Sequence, residues 1–246
     1  MINNGKGNKL QLIYIFPNLF TAASAFLGVI SIIASAGGEF EKAAVFILLS
    51  LIFDGLDGRV ARMTNATSQF GAEFDSLADI VAFGVAPAML FYFSVGHMYG
   101  KLGSLLCAMY VVFGAIRLAR FNVMIGVSEP SVFIGVPIPT AAVVVAMWIL
   151  VYKEHLFMRG FEWIMLIGLG ILSFLMVSNI RYPSFKKIDF KKANLIKILV
   201  YLVLSFSVLY LYPIEVGAIA ITSYLFYGFV RGIYNFFIAK YHKNSV

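Results

Sequence analysis

Stretch after stretch of about 20 mostly apolar residues, the length a helix needs to cross a bilayer, runs through this chain and leaves little room for a soluble architecture. Eight such stretches are read, at residues 17–36, 42–63, 70–95, 102–122, 134–152, 160–178, 195–212 and 214–238. The chain is 61% hydrophobic and 13% charged, whereas a soluble domain is about half apolar and about a quarter charged. The expectation is an all-α polytopic membrane protein with about eight transmembrane helices. Its 24 Phe and 13 Tyr suit a lipid-facing chain with interfacial rings. Residues 1–16 read as an interfacial N-terminal segment with a short helix of its own, Pro17 then opening the first span, where its missing N–H does no harm. Residues 195–246 read as the last two spans and a tail, and 1–246 as one domain.

Basic residues set the orientation. With the N-terminus in the cytoplasm, fifteen of the nineteen Lys and Arg residues fall on that side, leaving Lys42, Lys101, Lys153 and Arg159 opposite. Both termini are therefore expected in the cytoplasm, in a multi-pass protein of the cell membrane. The basic connection at 181–194 fits this bias, with binding of anionic lipid as the other reading. Apolar residues run on past Thr21-Ala-Ala-Ser-Ala25 to Ala36, which a spanning helix needs and a signal peptide does not. The lone Cys107 excludes an internal disulfide. His97, His155 and His242 are scattered and read as ordinary interfacial residues. No nucleic-acid partner is expected.

Into this apolar background fall Asp54, Asp57, Asp75 and Asp79. A carboxylate near a bilayer centre costs about 2.5–3.5 kcal/mol on insertion scales, and too few basic residues lie nearby to pair all four. Hard oxygen donors suit magnesium, manganese or calcium. Asp54 and Asp57 are three apart, and Asp75 and Asp79 four apart, so each pair shares a helix face. At about 1.5 Å per residue, both pairs lie roughly the same distance from the turn near residues 64–69, on facing arms of one hairpin. Gly55, Gly58 and Gly71 flank them. Each glycine costs about 1 kcal/mol against alanine in a helix, which close helix packing or room for a substrate would offset. Arg62 reads as a phosphate ligand or as a residue obeying the positive-inside bias.

The spacing D-x2-D-G-x2-A-R-x8-G-x3-D-x3-D, carried by Asp54, Asp57, Gly58, Ala61, Arg62, Gly71, Asp75 and Asp79, resembles the signature of the CDP-alcohol phosphatidyltransferase family. The resemblance implies a six-helix catalytic core in which these aspartates hold two divalent cations, Mg2+ or Mn2+. It further implies that Asp79 is the general base, with Asp75 beside it in the catalytic set. Gly58, Arg62 and Ser68, with Ala61 and Gly71, would meet the CDP part of a CDP-diacylglycerol substrate. A Pro-Asn-x-x-Thr element, here Pro17, Asn18 and Thr21, would lie beside the nucleotide, although helix-start chemistry explains the same residues. Cations neutralise a pyrophosphate at the attacked and departing ends, positioning does most of the rest, and a homodimer is implied.

Two further stretches bear on the acceptor. Ala115-Ile-Arg117-Leu-Ala-Arg120-Phe121-Asn122 and Phe133-Ile-Gly135-Val-Pro137-Ile-Pro139 resemble segments of the family's membrane-integral phosphatidylserine synthases, implying L-serine. Arg117 and Arg120, one turn apart, would hold a carboxylate or a lipid phosphate, with Asn122 adding a hydrogen bond. Their other reading is two arginines snorkelling at a helix end. Pro137 and Pro139 either shape the acceptor pocket or start a helix. A sister enzyme using glycerol 3-phosphate would share every aspartate, and an archaeal version acting on ether lipids has the same motif. A divalent-cation transporter is the rival from another class, but such sites use repeated halves and broken helices, and the aspartates have no counterpart in the second half.

Overall fold

Helices α1 (Asn4–Ala36) and α2 (Phe40–Met63) form an antiparallel hairpin, and their turn is written in the sequence. Gly38 stands at φ +79°, where the amides of Gly38 and Glu39 bond back to the carbonyls of Ser35 and Ala34 at 3.1 and 2.9 Å. These paired bonds close the helix on a left-handed residue, the position that glycine fills without a Cβ penalty. The two helices are joined by small polar side chains: Ser31 Oγ donates to the Ala43 carbonyl at 2.8 Å and Ser50 Oγ to that of Ser24 at 3.1 Å. Ala43 and Ala44 are fully buried, and small residues of this kind let membrane helices approach closely.

The computed structural model describes residues 4–64, 68–124, 132–183 and 195–243. After the hairpin come α3 (Gln69–Asp79), a π-helical turn (Ile80–Val85), α4 (Ala86–Ser94) and α5 (Gly100–Met124). They are followed by α6 (Ile138–Glu154), α7 (Glu162–Val177), α8 (Leu195–Leu211) and α9 (Pro213–Lys243). Strands β1 (Val132–Ile134) and β2 (Arg181–Pro183) pair antiparallel, Phe133 opposite Tyr182, and are the departure from an all-α fold. The core runs through the middle of the bundle: Phe83, Leu90 and Phe91 meet Tyr110 of α5, Ile138 and Ile149 of α6, and Leu169, Leu172 and Met176 of α7. Helix α9 lies against α6, where Trp148 Nε1 donates to Thr222 Oγ1 at 3.0 Å.

Among the described residues four helical runs are long and apolar enough to cross a membrane, Ile15–Ala36, Gln69–Ser94, Gly96–Met124 and Pro213–Arg231; this is a membrane protein. Helix α2 has the length, but its aspartates and arginines dilute its hydropathy, and α6 and α7 are shorter. The structure corrects the expectation of a separate N-terminal helix, because α1 continues from Asn4 through Pro17 to Ala36. Proline removes one backbone bond, to the carbonyl four residues earlier, a loss that membrane helices tolerate. Beyond Pro183 the expected polar connection at 181–194 lies outside the described residues.

A Cβ on Gly38 would meet nothing within 4 Å, so substitution there tests backbone conformation alone. Gly38→Ala is expected to lower stability by about 1 kcal/mol, read as a lower melting temperature in detergent. Gly38→Asn is expected to lose less, since asparagine tolerates the left-handed region.

Candidate active site

Three helices build the site, and each contributes for a local reason. Asp54 and Asp57 come from one face of α2, Asp75 and Asp79 from one face of α3, and α1 packs against both. Helix α3 starts where Ser68, in extended conformation, accepts the Gly71 amide at 3.0 Å, a side-chain cap on the new helix. From there the helical period brings the aspartates to the α2 side. Carboxylate oxygens of Asp54, Asp57 and Asp75 lie within 4.8 Å of one another. Asp79 stands near Asp54, and Asp75 near Asp57.

Among the described residues none of the four aspartates forms an ion pair with lysine or arginine. Asp79 Oδ1 is buried without a hydrogen-bond partner there. Asp57 receives one neutral donor, the Thr21 hydroxyl, which lies 2.7 Å from its Oδ2 and 3.3 Å from the Pro17 carbonyl. Converging hard oxygens, an unmet buried carboxylate oxygen and surplus negative charge are what a divalent cation fits, so Asp54, Asp57, Asp75 and Asp79 are the residues able to hold one.

Beside the aspartates opens a cleft of about 470 Å³. The structure brings Asn18 and Thr21 of α1, Gly58, Ala61 and Arg62 of α2, and Ser68 and Gly71 at the start of α3 into its lining, with Asp57 and Asp75 at the same wall. All seven nucleotide-side residues singled out in the sequence are there. The two glycines keep its floor low: a Cβ on Gly71 would stand 3.1 Å from both Asn18 Oδ1 and Ser68 Oγ, and one on Gly58 3.4 Å from an Arg62 nitrogen. Ala72 joins the lining; sequence reasoning passed over it, although its place three residues before Asp75 puts it on the same helix face.

The four acceptor candidates separate. Arg117 is buried, with its guanidinium 5.5 Å from the centre of the Phe121 ring and its charge felt by Asp79. Arg120 turns the other way. Its nitrogens donate to the carbonyls of Val177 at 2.8 Å and Ser178 at 3.2 Å, and to Asn179 Oδ1 at 3.2 Å. The open carbonyls at a helix C-terminus attract a cation, and those of α7 hold this one. Pro137 caps α6, and the amides before it, Gly135 and Val136, bond to Ile180 and Leu175, so this segment is part of the same junction. Asn122 Nδ2 donates to Ser76 Oγ at 2.8 Å, tying the end of α5 to α3 beside Asp75.

A second group, Glu154, His155 and Glu215, gathers near the far end of α6, where Lys153 lies 4.1 Å over the Phe40 ring at the start of α2. His155 Nε2 is 3.0 Å from Glu215 Oε1. The partner of His155 lies sixty residues on, with no local pattern to announce it.

The family model described as CDP-alcohol phosphatidyltransferase matches residues 14–175, a segment running from α1 into α7. The chain is 47% identical over 234 residues to the CDP-diacylglycerol–serine O-phosphatidyltransferase of Helicobacter pylori (strain J99), covering 95% of this chain and 97% of that one. It is 36% identical over 171 residues to the enzyme of the same name from Bacillus subtilis, covering 70% and 91%. To the archaetidylserine synthase of Methanothermobacter thermautotrophicus it is 37% identical over 179 residues, covering 71% and 72%.

Titrating the purified protein with Mn2+ and following the free ion by electron paramagnetic resonance tests the carboxylate site. Asp57→Asn is expected to abolish high-affinity binding. Thr21→Val, which removes the hydroxyl behind Asp57, is expected to weaken it about tenfold; wild-type affinity in both variants would exclude this cluster.

Proposed function

This chain belongs to the CDP-alcohol phosphatidyltransferase family, and from that premise we propose that it transfers the phosphatidyl group of CDP-diacylglycerol to L-serine, yielding phosphatidylserine and CMP. The observation that carries this reading is the convergence of the aspartates on the wall of a cleft lined by Asn18, Thr21, Gly58, Ala61, Arg62, Ser68 and Gly71. A cleft with a carboxylate cluster at one wall suits a nucleotide joined through a pyrophosphate to a lipid. The names of the Helicobacter and Bacillus relatives support serine as the acceptor.

The cleft receives the CDP moiety, with Arg62 supplying positive charge near the phosphates and the low floor at Gly58 and Gly71 admitting them against the backbone. Asp54, Asp57, Asp75 and Asp79 would hold two divalent cations, Mg2+ or Mn2+, whose charge would offset that of the pyrophosphate and the departing phosphate. Asp79 accepts the proton of the serine hydroxyl as that oxygen forms its bond to the lipid-side phosphorus. The bond between this phosphorus and the bridging oxygen breaks in line, and CMP leaves with that oxygen. Arg117, buried and facing the Asp79 side, binds the serine carboxylate through charge-assisted hydrogen bonds. Thr21 holds Asp57 in place.

The proposed arrangement has eight spans with both termini and the cleft facing the cytoplasm, and it is supported by fifteen of the nineteen Lys and Arg residues then falling on that side. In this arrangement acyl chains reach the cleft laterally from the bilayer. The six helical spans within 14–175 form the catalytic core, α8 and α9 are appended to it through α6, and family resemblance supports a homodimer.

CMP release by protein purified in detergent, with CDP-diacylglycerol, Mg2+ or Mn2+, and each alcohol in turn, tests the reaction. Serine-dependent release is expected, with kcat in Asp79→Asn lower by at least about 100-fold. Arg117→Met is expected to raise the KM for serine about 10- to 100-fold, the loss of one charged hydrogen-bonding partner, leaving that for CDP-diacylglycerol unchanged. Release with glycerol 3-phosphate in place of serine would keep the aspartate chemistry and discard the acceptor.

A further inference from the structure

The turn that follows Asp79 is wider than an α-helical turn. Residues Ile80–Val85 form a π-turn, in which backbone bonds skip one residue further and an extra residue is taken up. One extra residue offsets the helix faces on either side by about 100°. The turn therefore sets how the aspartate face of α3 is aimed relative to the core face of α4. Such turns are rare and concentrate at functional sites. Asp79 Oδ1 makes no hydrogen bond among the described residues, so the aim of this oxygen depends on the backbone that carries it.

That backbone is held from three sides. On the α1 side, Gly28 presses against Ala82: a Cβ on Gly28 would stand 2.8 Å from Ala82 Cα and 3.1 Å from its nitrogen. These are backbone atoms and cannot swing aside. On the α5 side, Tyr110, fully buried, donates its hydroxyl to the Phe83 carbonyl at 3.2 Å. On the α6 side, Ile138 Cδ1 closes to 3.6 Å of where a Cβ on Gly84 would be. A buried tyrosine hydroxyl needs a partner, and a buried carbonyl in an irregular turn needs a donor; each satisfies the other.

We infer that Tyr110 and Gly28 are positioning residues for Asp79: together they hold the π-turn in the register that aims this carboxylate at the acceptor hydroxyl. The inference rests on Asp79 being the base of the proposed reaction. Neither residue lines the nucleotide cleft, so their loss touches turnover and leaves binding of the lipid nucleotide alone.

Steady-state kinetics of Tyr110→Phe, which removes the hydroxyl and keeps the ring, test this. At a temperature where the variant is folded, kcat is expected to fall about tenfold, in keeping with a small misplacement of a reacting group, while the KM for CDP-diacylglycerol stays at its wild-type value. Gly28→Ala, reaching the same turn from α1, is expected to show the same split and carries the test if Tyr110→Phe is not recovered folded. Wild-type kcat in a folded variant, or a loss fully accounted for by its unfolded fraction, would overturn the inference. Asp79→Asn run in parallel separates the two levels. If it is inactive while Tyr110→Phe is fully active, positioning alone fails; if it retains turnover, the base assignment fails and takes the positioning role with it.

Discussion

Carboxylates inside an apolar helix bundle are costly, by several kcal/mol each once pairing is denied, and this constraint organises the protein around Asp54, Asp57, Asp75 and Asp79. They stand on two adjacent helices at one depth, with three of them close enough for their oxygens to share a ligand. A divalent cation answers this arrangement with the charge that the polypeptide does not provide. The remaining polar groups fall into place around it: Thr21 steadies Asp57, Arg62 lies over Gly58 on the cleft side, and Arg117 approaches from α5 on the Asp79 side. The cost of burying the carboxylates and their capacity to act on a pyrophosphate have one origin, the shortage of other counter-charges.

The scaffold keeps this group aligned by close packing of small residues and by backbone bonds at helix ends. Serines 31 and 50 join α1 to α2 through carbonyls, which sets the spacing between Thr21 and Asp57. At the other side of the bundle, Arg120 gathers the carbonyl end of α7, while Gly135 and Val136 bond to the same region. This junction fixes where α5 ends and α6 begins, and hence where Arg117 emerges. Of the two arginines one turn apart, Arg120 is bound to the end of α7 while Arg117 is buried against Phe121, a division that depends on which carbonyls lie within reach.

The long apolar stretches could be read almost residue by residue. The expected apolar stretches at 102–122, 160–178 and 195–212 are helical, as α5, α7 and α8, because a run of apolar residues closed by glycine, proline or charge has few alternatives to a helix. The aspartate spacing was equally legible from helical period, whereas the set of cleft residues was reached through the resemblance to the family, since nothing local ties Asn18 and Thr21 of α1 to Gly58 and Gly71. Pro17 misled the reading of the N-terminus: its signature at a helix start and its presence inside a membrane helix look alike in sequence. The β1–β2 ribbon joins strands nearly fifty residues apart, each only three residues long, too short to show a period.

Sequence alone determined the class of fold, the carboxylate set and the chemistry it can support, because hydropathy and helical period are local properties that each stretch carries with it. Tertiary structure decided what depends on contacts between distant residues: that Arg120 caps α7, that His155 pairs with Glu215, and that a π-turn follows Asp79. A π-turn has no composition of its own. Here Tyr110 donates to the Phe83 carbonyl of the turn while Gly28 and Ile138 pack against it, and those residues meet only when the bundle closes.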